Sequence, residues 1–176
     1  MGKDTRPLIT TNLSEASEAA VSVGVGRRCG ISESDAGRWR RAIRFLSTGF
    51  GVADFKKLIV WQKAHAFSLD VHRVARTIRG AEHLSLRSQL VRSSMSIAAN
   101  IVEGRGQESP KEFARYLKIA INSASETEYH LITAKDIGAI RVTDFASLLA
   151  KLIEVRKMLH GLLTHVRNKP TPKPQS

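Results

Sequence analysis

The sequence predicts an all-α protein, an antiparallel up-down-up-down four-helix bundle preceded by a poorly ordered N-terminal extension. Three observations carry this expectation. Apolar residues recur at helical spacing over four stretches between positions 54 and 167, and the loops between those stretches are short. Aromatics make up only 6% of the 176 residues while Leu, Ile and Ala carry the apolar load, which favours helix packed on helix over a β-sandwich. Brief connections leave successive helices side by side, so each helix reverses the direction of the one before. The expected domain limits are an extension at 1–53, the bundle at 54–167 and a disordered tail at 168–176.

In chain order, residues 1–36 lack a sustained period and are dominated by Ser, Thr, Gly, Glu and Ala, the composition of a loosely attached segment. Residues 37–50, Gly-Arg-Trp-Arg-Arg-Ala-Ile-Arg-Phe-Leu-Ser-Thr-Gly-Phe, interleave arginines, at 38–44 above all, with aromatics. This reads as a short solvated helix, with a nucleic-acid or membrane-surface arm as the alternative. Met1 is followed by no compact apolar region of signal-peptide type. Helical patterning begins abruptly after Val52, and valine can mark an alternative start codon, so residues 1–51 are either a disordered extension or the product of an early start.

From Asp54 the pattern changes. Val60, Ala64, Phe67, Val71, Val74, Ala75 and Ile78 share one face of a first helix expected at about 57–79 and stopped by Gly80, with Trp61, His65 and His72 forming a narrower seam. The second helix, about 84–104, is the one around which the chain is organised. Leu86, Leu90, Ser94, Ile97 and Ile101 line one face, and Met95, Ala99 and Val102 offer a second apolar strip, so this helix calls for neighbours on two sides. Its small serines and alanines allow close approach, and Glu103-Gly-Arg-Gly106 is expected to end it through a left-handed glycine cap. Ser109-Pro-Lys-Glu112 reads as a capping box with proline in the first turn of a third helix. That helix runs to Ile137 with Phe113, Leu117, Ala120, Ala124, Thr127 and Leu131 inward, closed by Gly138. Thr143 or Asp144 is the expected cap of a fourth, whose stripe is Phe145, Leu148, Leu149, Leu152, Leu159, Leu163 and Val166. Lys169 to Ser176, with three prolines, forms a frayed tail.

The formal net charge is +12, and residues 54–167 alone carry 18 basic and 11 acidic side chains. Such a balance points to a polyanionic partner. No apolar run is long enough to span a membrane, and the single cysteine, Cys29, excludes an internal disulfide and fits a reducing cytoplasm.

Four runs, Leu58-Ile-Val-Trp-Gln-Lys-Ala64, Gln89-Leu-Val-Arg-Ser-Ser-Met-Ser-Ile-Ala-Ala-Asn-Ile-Val-Glu-Gly104, Phe113-Ala-Arg-Tyr-Leu-Lys-Ile-Ala120 and Ala134-Lys-Asp-Ile-Gly138, together resemble the bacterial four-helix-bundle proteins linked to intervening sequences of 23S ribosomal RNA genes. The resemblance covers about 54–166, in order and with matching spacing, and leaves 1–53 without a counterpart. The fold is also similar to that of the accessory variability determinant proteins of diversity-generating retroelements. The resemblance implies a basic, non-enzymatic bundle that assembles into a homopentameric ring and handles RNA or DNA.

The candidate contacts follow from charge. Lys111, Arg115, Lys118 and Asn122 fall at i, i+4, i+7 and i+11 on the outward face of the third helix. Arg73, Arg76 and Arg79 cluster at the end of the first, and Arg87, Arg92 and Arg105 lie on the second. Cations of this kind neutralise phosphates without base-specific geometry, although any one of them could equally belong to a solvated face. No Glu-x-x-His pair of the di-iron bundle type occurs: Glu126 and His130 are four apart, and His65 and His72, seven apart, suit a subunit seam better than a metal. Ser93, Ser94 and Ser96 have no histidine and acid beside them in sequence, so close packing explains them better than nucleophilic catalysis. Neither a metal nor a cofactor nor a catalytic residue is expected.

Glu128, Lys135 and Arg156 fall at or inside apolar stripes, where a charge requires a partner, and Glu128 is expected to pair with Arg156 across the bundle. Asn100 and Glu103 suit helix-end hydrogen bonding, or else a polar contact between protomers or with a ligand. The function expected is a non-catalytic nucleic-acid-associated adaptor, RNA preferred over DNA through the resemblance. The alternative is a scaffold whose basic surface meets an acidic protein.

Overall fold

The structure, a computed structural model, describes residues 54–168. The expectations for the N-terminal extension, its arginine-rich segment, the start site and the proline-rich tail lie outside the described residues. Four helices make the fold: α1 Ile59–Ala75, α2 Leu84–Arg105, α3 Pro110–Asp136 and α4 Val142–Arg167. Short 3₁₀ turns at Phe55–Lys57 and Ala81–His83 precede α1 and α2. Each helix packs on the next, and α4 closes back on α1. Pairs across the seams fix the antiparallel sense: Lys63 with Glu154 and Asp70 with Lys151 between α1 and α4, and Arg92 with Glu126 and Ser96 with Ser123 between α2 and α3.

The core follows the stripes that helical spacing predicts but is wider on α4, where Val155, Met158 and Leu162 are buried as well and Phe145 and Leu149 only half-buried. Phe67, Leu90, Ile97, Ile101, Phe113, Leu117, Leu131, Leu152 and Leu159 are all fully buried. Leu84 to Arg105 also shows how α2 meets its second neighbour, and here the expectation is corrected. Met95 is 52% exposed and Ala99 is exposed, while Ser93, Asn100 and Gly104 are buried. The polar and small side of α2, not its second apolar strip, packs on α3, because hydroxyls can be satisfied there at close range. Thr127 Oγ1 donates to Ser93 Oγ at 3.0 Å, Ser96 and Ser123 hydroxyls lie 3.0 Å apart, and Asn100 Nδ2 donates to the Ser96 Oγ at 3.0 Å and carbonyl at 2.8 Å.

The ends of the helices differ from expectation in three places. α1 stops at Ala75, four residues early: Thr77 Oγ1 donates to the Val74 carbonyl at 2.7 Å, and Ile78 turns inward to be buried. Gly80 therefore serves the following loop, with φ +97°. α2 does not end in a left-handed glycine: Gly106 has φ −77°, and Gly104 lies within the helix where it admits α3. α4 begins at Val142 with Arg141 in the cap position, and Asp144 sits in the first turn, held by Arg141 Nε at 2.8 Å and Nη2 at 3.0 Å. Those bonds push the Asp144 carboxyl below its ordinary 3.8. Its contribution to stability is therefore present above that pH and is lost as pH falls through the lower folded value.

The start of α3 follows the sequence signal in part. Ser109 Oγ accepts from the Glu112 N–H at 3.1 Å, and Pro110 opens the helix, but the Glu112 carboxylate turns to Arg115 at 3.4 Å rather than back to the cap. Its end is a left-handed cap at Gly138, φ +71°, with the Ala139 N–H returning to the Ala134 carbonyl at 2.8 Å. Between α3 and α4, Arg156 Nη1 donates to Glu128 Oε2, and Nη2 reaches Oε1 at 3.4 Å. Lys135 Nζ lies 5.0 Å from the Phe145 ring centroid and 2.9 Å from Asp136 Oδ1.

Two glycines give opposite expectations. A Cβ at Gly104 would stand 2.6 Å from Tyr116 Cβ and 2.9 Å from Phe113 Cδ2, whereas at Gly161 it would meet nothing within 4 Å. Gly104→Ala forces backbones apart at a cost of about 1–3 kcal/mol, against a helix-propensity gain of about 1 kcal/mol at most. Urea unfolding should show Gly104→Ala destabilised and Gly161→Ala stabilised. The Glu128 and Arg156 side chains are 27% and 28% exposed, between a surface and a buried pair. Removing one partner should cost about 1–3 kcal/mol, and a double-mutant cycle should return a coupling energy above about 0.5 kcal/mol.

Candidate nucleic-acid interface

The bundle sorts its cations by whether a carboxylate reaches them. Arg73 and Lys151 share Asp70, Lys63 meets Glu154, and Arg92 Nη2 donates to Glu126 Oε1 at 2.6 Å while its Nε donates to Gln89 at 2.8 Å. Arg76, Arg79, Arg87, Arg105, Lys111, Lys118 and Arg167 have no carboxylate within the 4.0 Å of an ion pair among the described residues. Lys56, Lys57 and Lys157 are likewise without one and lie outside both of the grooves at which the other cations gather.

The first group sits where α3 starts and α4 ends. Lys111, Arg115 and Lys118 from α3 and Arg167 from α4 rim one groove whose floor is Pro110, Ala114 and Val166. The sequence periodicity finds the three α3 residues as one stripe; Asn122, its fourth member, is exposed but outside the groove. Arg167 escapes a helix-by-helix reading because it lies on another element. The antiparallel sense of α3 and α4 is the signal that brings a C-terminal-turn arginine beside an N-terminal-turn lysine. Arg105 ends α2 at this same end of the bundle. Its Nε is buried without a hydrogen-bond partner among the described residues, and burial pushes its guanidinium below the ordinary value. Arg115 also lies over the Tyr116 ring at 5.8 Å.

The second group belongs to the other end and the opposite side. His72 and Arg76 from α1 and Arg87 and Arg92 from α2 rim a groove with Ala75, Val91 and Met95 within it. Arg73 stands near by on α1 and is held by Asp70. Arg79 is exposed in the loop. The nine cations read from the sequence therefore do not form one continuous track within the chain. They divide into Arg73, Arg76, Arg79, Arg87 and Arg92 on one side, and Arg105, Lys111, Arg115 and Lys118 on the other.

The polar residues of α2 sit differently from one another. Asn100 is buried and bonded to Ser96 within its own helix. Glu103 is exposed, and its backbone carbonyl, not its carboxylate, accepts from Gln107 Nε2 at 3.1 Å. Trp61 and His65 stack with centroids 5.1 Å apart, Trp61 half-buried and His65 exposed. Among the described residues no three His, Cys, Asp or Glu side chains gather as a metal site would need, and no helix is long and apolar enough to cross a membrane.

Comparison with known proteins agrees with this architecture. A crystal structure of a protein of unknown function from the S23 ribosomal protein family of Bacteroides thetaiotaomicron superposes with a TM-score of 0.57 at 26% identity, covering 60% of this chain and 98% of that one. Among curated proteins no relative matches. The pattern of the 23S rRNA-intervening sequence protein family matches residues 56–161, more than half of the chain, taking in α1, α2 and α3, and α4 as far as Gly161. With this match and the bundle that carries it, the chain belongs to the 23S rRNA-intervening sequence protein family.

Proposed function

We propose that this protein is a non-catalytic, nucleic-acid-associated adaptor, RNA being its preferred partner, and that its phosphate contacts are made chiefly at the α3/α4 end. The observation that carries this reading is the convergence of Lys111, Arg115, Lys118 and Arg167 on one groove, with neither lysine nor Arg167 engaged by a carboxylate among the described residues. Phosphates are satisfied by cations without a fixed base geometry, and the small floor of Pro110, Ala114 and Val166 offers no base-reading group. The family's link to 23S rRNA intervening sequences supports RNA over DNA. Action in the cytoplasm without a cofactor fits the same reading.

Self-association belongs to the proposal. Leu69 on α1 and Tyr129 and Ile132 on α3 are large apolar side chains left exposed on the protomer, as a ring contact would require. A homopentameric ring would repeat the α3/α4 groove about its axis, so weak phosphate contacts would add by multivalency. Sedimentation at five times the 19.4 kDa of the chain is expected; a monomer rules the ring out.

Binding of a fluorescent single-stranded or duplex RNA should weaken steeply with salt. Each phosphate neutralised contributes about 0.7–0.9 to the slope of log K against log salt, so replacing Lys111, Arg115, Lys118 and Arg167 by Gln should lower the slope by about 3 and the affinity at least about tenfold. RNA and DNA that both fail to bind at low salt would remove the nucleic-acid reading.

A further inference from the structure

We infer that the groove between α1 and α2 is a docking site for an acidic amphipathic helix of a partner protein. Arg76 and Arg87, one from each wall, have no carboxylate within 4.0 Å among the described residues, and His72 and Arg92 extend the basic rim. Between these walls lie Val91 and Met95, the latter 52% exposed. A thioether on an unbranched chain moulds to varied apolar partners, which makes an exposed methionine inside a charged groove a contact for side chains rather than for solvent.

Three physical points select the occupant. From Arg87 to Met95 the α2 wall runs eight residues, roughly 12 Å at 1.5 Å per residue, which suits about two turns of a guest helix presenting anchors at i, i+3 or i+4, and i+7. A phosphate backbone would engage the arginines and leave Met95 uncovered, and of the rings that could stack a base only the His72 imidazole lines this groove, with no Phe, Tyr or Trp. A second copy fits this groove poorly in charge, because residues 54–167 carry 18 basic against 11 acidic side chains, and seven of those acids are already held by a Lys or Arg of their own chain. The α3/α4 groove differs in that its floor of Pro110, Ala114 and Val166 holds no exposed large apolar group. This inference is independent of the phosphate contacts proposed there.

The test uses the full chain and a fluorescein-labelled peptide of about 16 residues, Leu at helical spacing and Glu flanking it, beside a scrambled peptide of the same composition. The helical peptide should bind at least about tenfold more tightly than the scrambled one. Arg76→Glu with Arg87→Glu, and separately Met95→Asp, should each weaken it about tenfold or more, while Met95→Leu and the pair Lys111→Glu, Lys118→Glu leave it unchanged. All these positions are solvent-exposed, and circular dichroism of each variant verifies the helices. Equal binding of the two peptides, or indifference to Met95→Asp, would overturn the inference in favour of simple charge attraction. A fall in sedimentation mass with Met95→Asp would make the groove a contact between copies, and loss of RNA binding with that variant would assign it to nucleic acid; either result overturns it.

Discussion

The seam between α2 and α3 is the constraint on which the arrangement of this bundle depends. Ser93, Ser96, Asn100 and Gly104 on one helix meet Phe113, Tyr116, Ser123 and Thr127 on the other, and the contact at Gly104 is so close that no side chain fits between them. Hydroxyls buried there bond to one another or to a helix carbonyl, so close approach leaves none of these side chains unpaired. A seam of large apolar residues would tolerate rotation of α2 about its axis. One of small residues with matched hydroxyls does not, because a turn of the helix would strand several of them without partners.

Fixing α2 in this way decides what the surface can do. With its polar side committed to α3 and its Leu90, Ile97 and Ile101 side committed to the core, the Val91 and Met95 side is turned toward α1 and solvent. Arg87 comes to stand opposite Arg76, and Arg92 swings toward Glu126. The antiparallel sequence of helices meanwhile brings the first turns of α3 beside the last turn of α4. Two basic grooves result, on opposite sides and opposite ends of the bundle. Four acidic residues, Asp70, Glu126, Glu128 and Glu154, tie one helix to another. Those four pairings neutralise charge between the helices, while Lys111, Lys118 and Arg167 in one groove and Arg76 and Arg87 in the other stay without a carboxylate among the described residues.

Much of this was legible in the sequence because helical periodicity is a local signal. The stripes from Val60 to Ile78 and from Phe145 to Val166, the Ser109-Pro110 start and the Gly138 stop all rest on residues a few positions apart, and the bundle has them in those places. Which of two candidate faces α2 would bury was not legible. Met95, Ala99 and Val102 look more core-like than Ser93, Ser96 and Asn100 on transfer energies alone, and only Ser123 and Thr127, some 30 positions away, make the polar side the better one to bury. The early end of α1 has the same character: Gly80 is the stronger written stop, but burial of Ile78 requires the chain to turn sooner. The basic grooves were half legible. The stripe of Lys111, Arg115 and Lys118 is periodic, but Arg167 joins it only through topology, and the separation of the α2 arginines into two groups depends on how far apart along one helix Arg87 and Arg105 lie.

The central claim is that two separate basic surfaces on one bundle take different partners, phosphate backbone at the α3/α4 end and protein in the α1/α2 groove. Photocrosslinking of the full chain to 4-thiouridine RNA, followed by mass spectrometry of the linked peptides, tests it most directly. The account predicts crosslinks concentrated in the peptides that carry Lys111 to Lys118 and Arg167. Crosslinks concentrated instead on the segments holding Arg76, Arg87 and Met95 would contradict it.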